Sequence, residues 1–231
     1  LINTSSTSAI VYAPIQLSSV TTVNTLADVI AQVAGGSLTI KGLITGTTAG
    51  LQIGNTINQT NYSGQVIFVG SAVTDATNSS YTTLTSVNSY ATLDLQIDSP
   101  NSANWVALRS NYGGGGTIII EPLTNGGSIG LGTTGSTLNL PVYLFNGVGG
   151  TRKFADGFAN ITIGSSSAGS IGVTGAATFT DSVTLLSGSN ITINASASVT
   201  TSQAGGNLVV AATGNFLNLA GSTALQTTDS G

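Results

Sequence analysis

Acidic side chains are the residues of this sequence that could carry out acid–base chemistry, and they are few. The chain of 231 residues has 8 Asp and Glu, 4 Lys and Arg, and no His or Cys. Without His or Cys there is no Ser-His-Asp triad, no Cys-His pair and no zinc site built on these ligands. Carboxylate chemistry, with or without an oxygen-bound Ca²⁺, is what remains.

Two sets of aspartates are the candidates for a polysaccharide lyase or hydrolase site. Asp94 and Asp98 are four residues apart, and Asp156 and Asp181 lie further along the chain. Glycoside hydrolysis needs two carboxylates about 5 to 9.5 Å apart, whereas residues four apart on an extended strand are about 13 Å apart. Solvated charges on strands are therefore the favoured interpretation. We expect no catalytic residue, no cofactor and no bound metal.

Aromatic side chains indicate a second kind of site, a surface that binds carbohydrate. Flat rings stack on the apolar faces of sugars, and Trp105 with Tyr112, or Tyr81 with Tyr90, provide such rings at close spacing. The alternative is that these rings cover the core or the edge of a sheet. Trp105 and Tyr112 are the aromatic residues that we predict to contact a glycan.

The densest charge cluster of the sequence contains Arg152, Lys153 and Asp156. One interpretation makes Arg152 and Lys153 contacts to a glycan or to another carboxylate-bearing ligand. The other makes the cluster a salt bridge that orders the turn before Phe158. Both interpretations stay open, and Arg152 and Lys153 join the predicted glycan contacts.

The overall composition indicates a folded chain that does not bind nucleic acid. Hydrophobic residues make up 40% of the chain, the formal charge is -4 and the mean hydropathy is +0.35, whereas a disordered chain combines low hydrophobicity with high net charge. The 4 basic residues cannot neutralise a row of phosphates. The longest apolar runs are strand-sized, far shorter than the roughly 20 residues of a membrane-spanning helix.

Short bursts in which apolar and small polar residues alternate predict that β-strands dominate the fold. A period of two residues is typical of strands with one buried face. Nearly every burst is followed by Gly, Asn, Ser or Thr. The clearest bursts are residues 38–40, 51–53, 93–97, 129–131, 138–140, 161–163, 171–173, 191–193, 208–210 and 217–219.

The spacing of these bursts favours an all-β fold, a parallel β-helix or β-solenoid. Steps of about ten or twenty residues recur in the C-terminal half, which is typical of coils of roughly 17 to 20 residues with two or three strands each. About twelve such coils, stacked about 4.8 Å apart, form a rod about 60 Å long. A β-sandwich has turns at similar intervals and is the alternative fold.

The N-terminal region differs from the rest of the chain. We predict a cap or an assembly segment at residues 1–36 and the solenoid at residues 37–231, with an irregular insertion at 71–112. Apolar residues at helical spacing over 26–33 predict one short N-terminal helix that covers the open end of the rod. Alternatively, strands within residues 9–17 add to a neighbouring subunit.

The C-terminal part contains several runs of a recognisable style, at residues 141–147, 152–158, 161–164, 175–185, 190–195 and 214–221. Through these runs, residues 141–231 resemble the repeat regions of filamentous haemagglutinin-like bacterial exoproteins, which two-partner secretion exports. The resemblance implies a right-handed parallel β-helix that an outer-membrane partner transporter exports. It also implies display at the bacterial cell surface, as a fibre or an adhesin.

Three functions follow from these observations as hypotheses. The first is a structural, non-catalytic extracellular protein, a β-solenoid subunit or segment of a self-assembling surface filament or adhesive fibre, with itself as head-to-tail partner. The second is a carbohydrate-binding adhesin module whose partner is a surface glycan or a host receptor. The third is a polysaccharide lyase or hydrolase, which the scarcity of charged side chains makes the weakest of the three.

Overall fold

The computed structural model describes residues 2–3, 7–16, 29–33, 36–45, 51–54, 65–70, 85–98, 108–111, 115–146 and 154–228. Its secondary structure is almost entirely strand, with one short helix, α1 (Tyr143–Asn146), and one 3-10 turn (Gly221–Thr223). The strands are β1 (Ile2–Asn3), β2 (Ala9–Val11), β3 (Ile15–Gln16), β4 (Val29–Val33), β5 (Ser37–Ile40), β6 (Ile44–Thr45), β7 (Leu51–Ile53), β8 (Gln65–Val69), β9 (Thr85–Asn88), β10 (Thr92–Gln96), β11 (Leu108–Asn111), β12 (Thr117–Glu121), β13 (Ile129–Leu131), β14 (Leu138–Leu140), β15 (Asn160–Ser165), β16 (Ile171–Val173), β17 (Ala176–Phe179), β18 (Val183–Ser187), β19 (Ile191–Ile193), β20 (Ser198–Thr201), β21 (Leu208–Ala212), β22 (Phe216–Asn218) and β23 (Leu225–Thr227).

Strands from successive coils pair side by side, so the chain forms a β-solenoid. The largest sheet has eight strands in the order β2-β5-β8-β10-β12-β15-β18-β21. The other sheets are β1-β4-β7-β9-β11, β14-β13-β16-β19-β22, β17-β20-β23 and β3-β6. The ladders between neighbouring strands are parallel throughout the described residues, as in the pairing of β10 with β8 and with β12. Parallel stacking excludes the antiparallel β-sandwich, and every one of the predicted bursts lies in or overlaps a strand.

Most coils are longer than the sequence spacing predicted. Ser37 pairs with Gln65, Gln65 pairs with Thr92 and Thr92 pairs with Thr117. Each of these coils therefore takes about 25 to 28 residues, a usual length for a solenoid repeat. The predicted coil of roughly 17 to 20 residues was wrong here, and so was the predicted count of about twelve coils. In the C-terminal part each coil has three strands, and the third, as in β17 and β20, contains few large apolar residues and gave no recognisable burst.

One coil carries extra chain between β12 and β15. Thr117 pairs with Asn160, so this coil is much longer than the coils before it. Within this stretch β13 pairs in parallel with β14, the next strand in sequence, from Ile129 to Leu138, and α1 follows. An irregular insertion was predicted at residues 71–112. The described strands of that stretch, β9, β10 and β11, continue the stack in regular register, and the extra chain lies after them.

The core lies inside the coils and is built by alternating side chains of strands such as β8, β10, β12 and β18. Leu93 and Leu95 of β10 are completely buried, and Ile118 and Ile120 of β12 lie beside them in register. Burial of each such side chain contributes about 1.5 to 3 kcal/mol. A single coil has no second layer to pack on, so this burial depends on the coils above and below.

The helix predicted over residues 26–33 was wrong for Val29–Val33, which form β4 between β1 and β7. Residues 26–28 of this prediction lie outside the described residues. Pairing with two neighbouring strands overrides the helical spacing, because Val and Ile also fit a strand well. The predicted assembly strands pair within the chain, β2 with β5 and β3 with β6. The described strands of residues 1–36 are therefore part of the solenoid.

Candidate functional site

The four predicted glycan contacts, Trp105, Tyr112, Arg152 and Lys153, lie outside the described residues, as does Tyr81. Tyr90 is described. It occupies the turn between β9 and β10, its side chain is 54% exposed, and its backbone has a φ of 68°, which a residue with a Cβ rarely adopts. The structure therefore leaves the glycan contacts as predictions and adds one exposed aromatic ring at a corner of the rod.

Asp94 and Asp98 do not form a pair, as the strand geometry predicted. Asp98 follows β10 and is a structural residue: its carboxylate accepts hydrogen bonds from the Thr124 backbone N–H, at 3.1 Å, and from the Thr124 hydroxyl. These contacts hold the turn after β12 against the preceding coil. Asp94 lies in β10 and contacts a different set of residues.

Asp94 is the centre of a polar cluster on the outer face of the eight-stranded sheet, formed with Gln65, Gln96 and Glu121. Its Oδ2 accepts hydrogen bonds from Gln65 Nε2 at 3.0 Å and Gln96 Nε2 at 2.9 Å, and Gln96 Nε2 also donates to Glu121 Oε1 at 2.9 Å. The cluster connects the strands β8, β10 and β12.

Burial makes the Asp94 carboxyl unusual. The side chain is only 3% exposed, and Ile67 and Ile119 flank it in register on the neighbouring strands. Its Oδ1 is buried and has no hydrogen-bond partner. Burial first, and then the charge of Glu121, raises the pKa of Asp94 to about 7, although the hydrogen bond from Gln96 opposes this shift. Near neutral pH the Asp94 carboxyl is therefore present in both its protonated and its ionised form.

Asp156 and Asp181 form a second carboxyl pair. Asp181 is 1% exposed, and its carboxylate accepts a hydrogen bond from the backbone N–H of Gly157 at 2.8 Å and another from that of Phe158. Asp156 is exposed, and its negative charge acts on the Asp181 carboxyl. Burial first, and the charge of Asp156 in addition, raise the pKa of Asp181 to about 7, although the backbone donors of Gly157 and Phe158 oppose this shift.

Both carboxyl sites join residues that are about one coil apart in sequence. Gln96 is directly opposite Glu121 of the next coil, and Asp181 follows Asp156 by the same sequence interval. Asp156 and Asp181 were grouped from the sequence, but Asp94 was not grouped with Glu121, because the expected coil was shorter than the true one. Acidic residues spaced by the true coil length would have been the signal.

Neither carboxyl site has the composition of a metal centre. In the part of the chain that the structure describes, no three or more His, Cys, Asp or Glu side chains lie close enough together to hold a metal ion. What the two sites can do chemically is to bind and release a proton near neutral pH.

The first coil (β1, β2 and β3) and the last coil (β21, β22 and β23) differ from the interior coils in their apolar surface. Nine large hydrophobic side chains are exposed among the described residues, and six of them belong to or adjoin these two coils. They are Ile10, Tyr12, Val209, Phe216, Leu217 and Leu219.

Phe216 shows why the last coil is exposed. It pairs in register with Ile191 of β19, which is completely buried, yet the Phe216 side chain is 45% exposed. The two residues occupy the same position in their coils, and the difference in exposure arises because described strands pair with β19 on both sides and with β22 on one side only. Phe216 therefore leaves an inward, apolar position of the solenoid half exposed.

The comparisons with known proteins add no relative. No family model, no curated protein and no solved structure matches the chain. Among the described residues there is also no helix with the length and apolar character needed to cross a membrane.

Proposed function

We propose that the chain is a structural protein, a β-solenoid subunit that stacks end to end into an extracellular filament or adhesive fibre. The observation that carries this proposal is the surface of the two end coils, where edge strands and apolar side chains lie together. Catalysis has no part in it. The resemblance of residues 141–231 to filamentous haemagglutinin-like exoproteins supports a place at the bacterial cell surface and export by an outer-membrane partner transporter.

The two ends are suited to pair with each other because they have the same polarity. β21 pairs with β18, and β2 pairs with β5. Among the described strands, β2 and β21 are the two edges of the eight-stranded sheet. Edge strands present unpaired N–H and C=O groups that accept another strand. A second copy placed head to tail would continue the sheet with the same parallel pairing, so the contact repeats without closing on itself.

The chemistry of the end coils favours this contact. Residues 7–16 and 203–228 contain no charged side chain, so no like charges oppose the approach of two ends. Extension of the register places Val209 of one copy beside Ile10 of the next, on the outer face of the same sheet. Stacking would also cover Phe216, and removal of its apolar surface from water drives association.

The test compares two substitutions at exposed apolar residues, Phe216→Lys on the last coil and Leu123→Lys in the turn after β12. Both side chains are about equally exposed, at 45% and 47%. Only Phe216→Lys places a charge where a second copy would stack, and a buried unpaired charge is strongly unfavourable. Sedimentation velocity at micromolar concentration should show large species for the wild type and for Leu123→Lys, and monomers for Phe216→Lys.

Two results would contradict end-to-end assembly. One is a wild-type chain that stays monomeric throughout the concentration range. The other is a pair of lysine variants that assemble equally well, because the contact would then lie away from the last coil. Circular dichroism of each variant verifies that the fold is intact.

A carbohydrate-binding adhesin is the second candidate function, and Tyr90 is the observation that favours it. An exposed ring on a left-handed backbone is uncommon, and strained backbone often marks a binding site. A glycan array should then give hits that Tyr90→Ala and Trp105→Ala both weaken, whereas Tyr143→Ala, at another exposed tyrosine, should not. An array without hits would remove this candidate.

A further inference from the structure

Most strands of the eight-stranded sheet are preceded in the chain by a strand that belongs to another side of the rod. In the N-terminal part β4 precedes β5, β9 precedes β10 and β11 precedes β12, and in the C-terminal part β17 precedes β18 and β20 precedes β21. The first three belong to the five-stranded sheet, and β17 and β20 belong to the three-stranded sheet. Both sheets therefore supply the strand that leads into the eight-stranded sheet.

Contacts near the extra chain connect these two sheets. Leu108 of β11 forms a parallel bridge with Phe154, which continues the five-stranded sheet by one coil. The Phe154 ring stacks on Phe145 of α1, with centroids 5.2 Å apart, and Phe145 lies 4.5 Å from Phe179 of β17. The two sheets thus form one side of the rod, called the leading side from here on, which consists of β1, β4, β7, β9, β11, β17, β20 and β23.

The two ends of the leading side both carry a strand. At the N-terminal end β1 pairs with β4 and precedes β2, which pairs with β5. At the C-terminal end β23 pairs with β20, and β20 precedes β21. β23 therefore lies one coil beyond β21, at the place of the strand that would lead into a further coil. Among the described strands, none of the eight-stranded sheet lies beyond β21.

This arrangement creates a conflict when a second copy stacks as proposed above. Its β2 lies next to β21 of the first copy, and its β1, which belongs to the same coil as its β2, must then lie next to β20. β23 of the first copy already pairs with β20 at that place. Neighbouring strands are only about 4.8 Å apart, so there is room for one of the two strands, and the other must leave.

The described contacts favour the departure of β1. β1 is two residues long and β23 is three residues long. Hydrogen bonds on both sides of β23 extend its attachment to β20. The Val199 N–H donates to the Ala224 carbonyl at 2.8 Å, and Ala224 is buried. The Thr228 N–H donates to the Thr201 carbonyl, also at 2.8 Å.

We propose that two copies join by strand exchange, in which β1 of one copy leaves β4 and β23 of the other copy pairs with β4 in its place. This inference rests on the proposed end-to-end stacking and adds the way in which the two ends fit together. The new pairing stays parallel, because the ladders on the leading side are parallel at both ends. Addition of an extended segment to a free sheet edge is a common mode of protein recognition.

Disulfide bonds that hold one strand in place test the exchange in the full-length chain, which has no Cys of its own. The β1 lock, Asn3→Cys with Val33→Cys, joins register partners of β1 and β4. The β23 lock, Thr200→Cys with Gln226→Cys, joins register partners of β20 and β23. Paired strands bring such residues within the Cα separation of about 4.4 to 6.8 Å that a disulfide spans. Sedimentation velocity at micromolar concentration compares each variant when oxidised and when reduced.

The oxidised β1 lock should stay monomeric and should regain the large species of the wild type when it is reduced. The oxidised β23 lock should assemble as its reduced form does, because β23 keeps its place on β20. Thr178→Cys with Thr200→Cys, which joins β17 to β20 away from both ends, is the matched control and should assemble in both states. Deletion of residues 1–3 should speed up assembly, since no strand then has to leave β4.

Two results would overturn the exchange and leave stacking intact. One is an oxidised β1 lock that assembles as well as its reduced form, and the other is an oxidised β23 lock that stays monomeric. If the β1 lock does not fold, the deletion of residues 1–3 decides, because a rate of assembly no higher than that of the wild type contradicts the exchange. A wild type that stays monomeric would instead refute end-to-end stacking, and the exchange with it.

Discussion

The interior coil of β18, β19 and β20 and the last coil of β21, β22 and β23 have the same geometry and different surroundings. Their strands pair one to one in parallel register. Ile191 is completely buried and Phe216, its partner, is 45% exposed. Thr192 lies on the outer face of the interior coil, and Leu217 occupies that position in the last coil, 49% exposed.

This comparison shows that the core of the rod is made between coils and not within one coil. A coil with two neighbours buries its inward residues completely, whereas the same arrangement with one neighbour leaves them half uncovered. The last coil also has apolar residues on its outer face where the interior coil has threonine. Another coil placed on such an end would cover these residues, which is the physical basis of the proposed assembly.

Ile191→Lys should destabilise the chain severely. A lysine at this position buries an unpaired charge between two coils, which costs at least about 4 kcal/mol. We expect loss of the cooperative thermal transition measured by circular dichroism. Phe216→Lys, at the same position of the last coil, should keep its stability within about 1 kcal/mol of the wild type under conditions that keep the chain monomeric. Equal damage from the two substitutions would refute the difference between the coils.

Truncation to alanine tests the same difference in burial with a smaller loss of stability. Ile191→Ala should destabilise the monomer by about 2 to 5 kcal/mol, the usual range for a cavity in a packed core. Phe216→Ala should cost much less in the monomer, because half of the ring is already in water. Urea denaturation at low concentration of protein measures both, and a larger loss for Phe216→Ala would contradict the exposure seen at the end.

Two buried carboxyl groups, those of Asp94 and Asp181, should make the stability of the chain depend on pH. Folding raises the pKa of Asp94 and of Asp181 to about 7, so folding takes up protons, and stability falls as the pH rises from about 4 to about 7. Asp94→Asn should remove about half of this dependence, a change of about 5 °C in the melting temperature between pH 5 and 8. Calorimetry at a series of pH values measures it.

Val209→Asp is the matched variant for Asp94, since it places a carboxylate in the same row of the sheet on the last coil. Val209 is 45% exposed, so water solvates the new charge and the pKa of the new carboxyl should stay ordinary. The melting curve of this variant should have the pH dependence of the wild type. A new dependence near neutral pH would mean that the last coil is covered.

Asp98→Asn should change the free energy of unfolding only slightly. The Asp98 carboxylate accepts hydrogen bonds from Thr124 at an exposed turn, where water can replace them. The variant should lose about 1 kcal/mol or less. A loss comparable to that of Ile191→Ala would show that this turn, and not only the core, holds the coils together.

Much of the fold was predictable from the sequence because alternation of apolar residues is a local signal. Strands such as β5 (Ser37–Ile40), β15 (Asn160–Ser165) and β16 (Ile171–Val173) follow from it directly. The third strands of the C-terminal coils were not predictable in this way. Ala176–Phe179 and Ser198–Thr201 each bury a single large or branched apolar residue, Phe179 and Val199, so large apolar residues do not alternate along them. Without them the coil length came out too short.

To predict which carboxyl groups lie close together, the true coil length is needed, and the apolar bursts did not give it. Asp94 and Glu121, or Asp156 and Asp181, are distant in sequence and meet only because the chain returns to the same side of the rod once per coil. The N-terminal helix failed for a related reason: Val29–Val33 satisfies both a helical and a strand pattern, and the strands β1 and β7 on either side decide between them. Pairing between coils is long-range information that local periodicity lacks.

Electron microscopy of the purified wild-type chain at micromolar concentration tests end-to-end stacking most directly. Eight strands stack in the largest sheet, and a spacing of about 4.8 Å gives a subunit repeat of about 38 Å. Long unbranched filaments with this axial repeat are the predicted result. Isolated rods of about that length at every concentration would contradict the assembly of one copy on another.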